Sequence, residues 1–267
     1  MTRSRHGDRS GRVVILTALE VEYAAVRTHL RGLRPVVHPS GTIFEVGTAA
    51  GSSQQVVLAV TGEGNQNSAV LTERAAALFD PAYLLLVGVA GALHDDLDLG
   101  DVIVATRVYA YHGGDESGDG FAARPRAWEA PYHLEQWARQ VSRTRRWRGQ
   151  SPSAAGRPAV RFRPAAAGEV VVAAADAPTK ALIRRHYGDA AIVEMEGAGV
   201  ARASYLNNAL PALVIRGVSD RADPGKLALD RAGSQAAAAA NAAAFAIDLV
   251  RKVPDVSPYS GRWQLDR

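Results

Sequence analysis

The chain has 267 residues, 47% of them hydrophobic, a formal net charge of +4 and no cysteine. The apolar share is enough for a substantial core, and the lack of cysteine excludes disulfides, thiolate zinc sites and a cysteine nucleophile. The N-terminus is basic and polar, and the apolar run after it (VVILTAL) is far too short for a signal or membrane helix, so the expectation is a cytoplasmic protein with no membrane partner.

Residues 1–11 read as a disordered basic tail. The β-branched run over 12–17 (RVVILT) predicts a strand, and Val21, Ala24, Ala25, Val26 and Leu30 place an amphipathic helix over 20–30. Strands are predicted over 42–48 and 54–61, parted by a turn at Ala50-Gly51-Ser52. Gly62-Glu63-Gly64-Asn65 is a further turn, and a helix over 68–79 is stopped by Pro81. Residues 83–87 form the continuous apolar run of a buried parallel strand, with a glycine-bearing turn over 88–93. A strand follows over 101–109, then a long loop over 112–126, a helix over 134–141, an arginine-rich loop over 143–163 and a strand over 169–173. The rest reads as a helix over 178–186, a short strand over 192–193, a helix over 196–206, a strand over 212–218 and an alanine-rich helix over 234–250. This alternation predicts an α/β fold, a single-domain three-layer α/β/α arrangement with a mixed, mainly parallel central sheet. The domain spans 12–252, and 253–267 is a C-terminal tail.

Positive charge is concentrated at Arg143, Arg145, Arg146, Arg148, Arg157, Arg161 and Arg163. Such a run suits nucleic acid or a phosphate-bearing ligand. The intervening Gly149, Ser151, Pro152, Gly156 and Pro158 favour a solvated loop instead, so nucleic acid is not an expected partner.

Ligands of open α/β sheets bind at the carboxyl ends of the strands. Four places put polar residues there. Glu20 and Glu22 follow the first strand, where carboxylates also complement a helix dipole. Gly88-Val89-Ala90-Gly91-Ala92 follows the buried run LLLV, where small residues let backbone approach a ligand or simply turn the chain. Glu194 and Glu196 flank Met195 in an apolar segment, where burial is costly without a partner and helix capping is the alternative explanation. Arg216, Ser219 and Asp220 lie along an apolar strand and its mouth, as a site or as a structural ion pair. Singly, each place leaves both explanations open.

In co-linear order, TALEVE, the turn Gly62-Glu63-Gly64, GVAGA, LGDVIVAT, VEMEGAG and IRGVSDRAD resemble the nucleoside phosphorylase superfamily across residues 12–250, closest to its methylthioadenosine/S-adenosylhomocysteine nucleosidase branch. The resemblance implies hydrolysis of the N-glycosidic bond of an adenine nucleoside or nucleotide through an oxocarbenium-like transition state, with no metal and no organic cofactor. It implies Asp220 as general acid toward the purine N7, Glu22 as the base that deprotonates water, and Arg216 as organiser of the water and the glutamates. Glu196 would take the ribose hydroxyls, Met195 would lie against the sugar and Ser219 would place Asp220. Glu194, Val89, Ala90 and Gly91 complete the substrate-binding set. His112 falls in a loop near a neighbouring subunit's site, which implies a homodimer or larger homo-oligomer. The Arg216 cation is expected to lower the pKa of Glu22.

Three departures qualify this. Val89 stands where the branch has serine, and residues 173–180 (AAADAPTK) lack the family's base-stacking aromatic. Leu86 and Val87 stand where family phosphorylases place a phosphate-binding arginine, which favours water as acceptor. Arg124, Arg126 and Lys226 suit a substrate's own 5′-phosphates, as in relatives that hydrolyse AMP or ATP. The rival readings are a phosphate-dependent purine nucleoside phosphorylase and a non-catalytic nucleotide-binding or signalling module.

Overall fold

The computed structural model describes residues 10–118, 120–144, 146–150, 158–174, 176–222 and 233–253. The tails over 1–9 and 254–267, and Arg145, Arg157 and Lys226, lie outside the described residues.

Inside the sheet, β1 (Ser10–Thr17) runs parallel to β4 (Gln55–Val60) on one side and to β5 (Pro81–Ala92) on the other. Its side chains alternate between two cores, as the two-residue repeat of a strand requires. Val13 and Ile15 pack with Val26 of α1 (Glu20–Arg27), Leu134 of α3 (Tyr132–Thr144) and Phe245 of α6 (Ser234–Val250). Val14 and Leu16 pack with Ala75 and Phe79 of α2 (Asn65–Phe79) and Val200 of α5 (Gly197–Leu206). Helices therefore cover both faces, as the three-layer expectation required. Among the described residues, no helix is long and apolar enough to cross a membrane.

The remaining strands are β2 (Leu30–Val37), β3 (Ile43–Ala49), β6 (Val102–Ala110), β7 (Gly114–Ser117), β8 (Gly120–Ala123), β9 (Arg126–Glu129), β10 (Val160–Ala167), β11 (Ile192–Glu194) and β12 (Ala212–Asp220). The main sheet has the order β11-β10-β6-β12-β5-β1-β4-β3-β2, with β9 added on β6. It is mixed: β12 is parallel to β5 and antiparallel to β6. Because β11 pairs with β10 and also, antiparallel, with Gly91 and Ala92 at the end of β5, five strands close into a ring. That closure brings the ends of β5, β11 and β12 together.

Several expectations are corrected. Residues 88–93 do not turn away from the sheet; β5 continues to Ala92, and its glycines permit close approach of side chains. Leu30 does not end α1 but starts β2, a largely exposed edge strand with too few inward residues to show a period. The 112–126 loop holds the β7–β8 hairpin, which carries its own pairing. The strand expected over 169–173 lies earlier, at β10, inside the presumed arginine-rich loop. Its charges are neutralised along the strand's flank: Arg161 pairs with Asp101 at 3.1 Å, Arg163 with Asp96 at 2.9 Å, and the Arg139 guanidinium lies 4.2 Å above the Phe162 ring. In the same stretch α3 extends to Thr144, and Trp147, fully buried, meets Phe245 edge-on. Ser10 and Gly11, assigned to the tail, are part of β1, and Val253 packs in the core.

The alanine run of α6 has a packing reason. With no side chain beyond Cβ, the helix lies directly on β12, and a Cβ at Gly217 would collide with the Ala238 carbonyl. Gly217→Ala is therefore expected to destabilise the fold by about 1–3 kcal/mol, the usual cost of overpacking. Urea denaturation of the two proteins measures it.

Candidate active site

Arg216 is fully buried in the middle of β12, opposite Gly88 of β5. An isolated buried guanidinium is prohibitively desolvated, so its neighbours must compensate it. Three carboxylates do. Its Nη2 donates to Glu194 and, at 2.9 Å, to Glu196, while Nη1 lies 3.9 Å from Glu22. The Nε and Nη1 atoms make no hydrogen bond among the described residues. Burial disfavours the guanidinium charge, but Glu194, Glu196 and Glu22 outweigh it and raise the Arg216 pKa further. Gly88 is what makes this contact possible: a Cβ there would collide with both Arg216 and the Glu22 carboxylate.

Each glutamate is anchored by backbone donors. Glu22 is third in α1, and its carboxylate accepts from the amides of Ala18 at 2.8 Å and Leu19 at 2.9 Å, which stand free at a helix start. Its other oxygen accepts from the Val89 amide at 2.7 Å. Helix capping and site geometry are here one arrangement. Burial pushes the Glu22 carboxyl above its ordinary value, more than Arg216 and the three amides pull it down, which reverses the expected direction. Glu194 ends β11 and accepts from the amides of Glu196 and Gly197 at the start of α5, and burial likewise raises its pKa. Glu196 accepts from the Gly64 amide at 3.0 Å, where Gly64, with φ +99°, opens α2.

Asp220 ends β12 beside Gly91 and is almost fully buried. Its Oδ2 accepts from the Ser219 hydroxyl at 2.8 Å and its Oδ1 from the Ala222 amide at 2.8 Å. Ser219 is also 3.4 Å from the Ala90 carbonyl. A Cβ at Gly91 would stand 2.9 Å from the Asp220 carboxylate, so the glycine leaves room for it.

The strand ends thus bring together Glu22, Val89, Ala90, Gly91, Glu194, Glu196, Arg216, Ser219 and Asp220. Met195, partly exposed, lies between the two glutamates of its segment. Val89 acts through its backbone amide, so replacing a serine side chain leaves that contact intact. His112 is exposed and stands apart at the rim, its Nδ1 accepting from the Glu169 amide at 3.2 Å. The segment leaving β10 is the rim's other part: Gly168 packs on the Tyr111 ring, its carbonyl accepts from Asn65 at 2.7 Å, and Val170 and Val171 are exposed. Sequence reasoning placed Gly88 in a candidate ligand turn but not beside Arg216, which only the strand register shows. It missed Asn65, whose amide joins Gly168 and Gly199 to the start of α2, and Lys180, whose ammonium donates to the carbonyls of Arg221 and Ala222.

The sequence model of the phosphorylase superfamily matches residues 12–252. The 5′-methylthioadenosine/S-adenosylhomocysteine nucleosidase of Staphylococcus saprophyticus is 27% identical over 214 residues, 78% of this chain and 86% of that protein. The ATP nucleosidase Cap17 of Escherichia coli is 30% identical over 80% of this chain, which spans only 46% of Cap17. Among solved structures, the Neisseria meningitidis 5′-methylthioadenosine/S-adenosylhomocysteine nucleosidase in complex with methylthio-immucillin-A superposes with a TM-score of 0.78 at 26% identity, covering 91% of this chain and 100% of that one.

Removing the shared cation isolates three buried carboxylates. Arg216→Met is expected to cost about 3–5 kcal/mol at neutral pH. The carboxylates would then protonate in the folded state well above their unfolded pKa, so stability would recover as pH falls toward 5. Denaturant titrations at pH 7.5 and 5 check both the loss and its sign.

Proposed function

The chain belongs to the phosphorylase superfamily, and on that premise we propose that it hydrolyses the N-glycosidic bond of an adenine nucleoside or nucleotide, releasing the free base. The observation that carries the reading is the arrangement at the strand ends. Asp220, a carboxyl group held from two sides, ends the same strand that carries the guanidinium around which three carboxylates gather.

In this reading the C1′–N bond breaks with its electron pair passing to the base, which takes a proton from Asp220. Water adds to C1′ and gives its proton to Glu22. Glu196 binds the ribose hydroxyls and Met195 packs on the sugar. Burial supports the role of Glu22, since a raised carboxyl pKa makes a better base near neutral pH. The excess of negative charge, three carboxylates against one guanidinium, opposes a phosphate ion and supports water as the acceptor. The Arg124 guanidinium, one of the groups suited to 5′-phosphates, is paired with Asp115. Assembly into a homo-oligomer belongs to the same reading. It is supported by the exposed apolar side chains Val70 and Leu78 of α2 and Tyr205 and Leu206 of the neighbouring α5.

Asp220→Asn is expected to lower kcat by about 10²–10⁴-fold while the fold persists. The acid limb of kcat/KM is expected above pH 4.5, the ordinary glutamate value, because Glu22 is inactive as a base once protonated. Initial rates of base release across pH, for the wild type and the variant, check both. A variant as fast as the wild type removes Asp220 from the chemistry.

A further inference from the structure

One buried cation is not used by the mechanism. Lys180 lies in the first turn of α4 (Pro178–His186) and is only 7% exposed. A cation at a helix start opposes the helix dipole, and a buried ammonium is costly unless hydrogen-bonded. Local physics therefore disfavours lysine here, and a tertiary contact must account for it. That contact is the chain leaving β12: Nζ donates to the Arg221 carbonyl at 3.2 Å and to the Ala222 carbonyl at 3.3 Å.

Ala222 is the residue whose amide holds Asp220 Oδ1. Its φ is +50°, left-handed backbone that alanine avoids because Cβ crowds the following carbonyl. It is fully buried, and its Cβ lies against Gly91. Something must keep this turn in place, and the ammonium that grips the two successive carbonyls is placed to do so.

We propose that Lys180 is a positioning residue for Asp220: its ammonium fixes the left-handed turn at Ala222 through the carbonyls of residues 221 and 222, and the Ala222 amide in turn orients the carboxyl group that protonates the leaving base. The proposal rests on the general-acid reading of Asp220. Lys180 touches no reacting atom, so its loss acts on turnover more than on substrate affinity.

The test compares Lys180→Met, Lys180→Arg and the double variant Lys180→Met/Ala222→Gly. In Lys180→Met, kcat is expected to fall about ten- to a hundred-fold, the usual effect of a small misplacement, with KM nearly unchanged. Lys180→Arg keeps a cation in reach of the carbonyls and retains more activity than the methionine. The added glycine adopts the left-handed turn without strain and restores part of the lost kcat. Hydrogen exchange of the Ala222 amide, read by NMR, is expected to quicken in Lys180→Met and to slow again in the double variant. Should Lys180→Met not fold, Lys180→Gln is read against Lys180→Arg in the same way. Wild-type kcat and unchanged Ala222 exchange in the methionine variant would overturn the proposal. So would a lowered kcat with no change in Ala222 exchange and no recovery on adding glycine. If the wild type itself released no base, a Lys180-dependent Ala222 exchange would still uphold the positioning link, and only the hydrolase reading would fall.

Discussion

A guanidinium buried in a sheet has to be neutralised where it stands, and Arg216 meets that demand with three carboxylates drawn from three separate elements. Glu22 comes from α1, Glu194 from the end of β11 and Glu196 from the start of α5. The guanidinium cannot be housed unless β5, β11 and β12 converge, and they converge only because β11 pairs with the far end of β5. Gly88 supplies the room and Gly217 the fit against α6. Ring closure, glycine placement and buried charge are thus mutually dependent.

The same constraint shapes the chemistry. Backbone amides at three helix starts and on β5 fix the carboxylates, so little reorganisation is needed when charge develops on a bound sugar. Asp220 sits apart from the guanidinium, at the end of the same strand, and is governed by Ser219 and Ala222 rather than by ion pairing with Arg216. One strand therefore carries two environments. A cluster rich in charge suits stabilising a cationic sugar and activating water, and a carboxyl group oriented by a hydroxyl and an amide is held in a fixed position at the strand end.

Much of this was legible in the sequence because the decisive residues lie in short, contiguous motifs. VEMEGAG and IRGVSDRAD each deliver charged residues and their glycines within a few positions, and a strand followed by a helix start places them without long-range information. What was not legible depended on pairing across the fold. The glycines after LLLV look like a turn in isolation, and only the register of Gly88 against Arg216 gives them their purpose. β10 was hidden because Arg161 and Arg163 read as solvent-facing charge, whereas Asp101 and Asp96 accompany them on a sheet strand. β2 was hidden because an edge strand buries too little to show a period. The direction of the Glu22 shift also needed the structure: proximity to a cation was readable, the depth of burial that outweighs it was not.

In the proposed reaction, water activated inside this carboxylate cluster takes the place of the departing purine. The most direct measurement is chromatographic detection of free base and sugar product after incubation with methylthioadenosine, adenosine, inosine, AMP and ATP, each with and without inorganic phosphate. Adenine release from at least one adenine substrate is expected at a rate indifferent to phosphate, with the free sugar as the other product. Release that requires phosphate and yields a sugar 1-phosphate would contradict it, as would the absence of release from every adenine substrate.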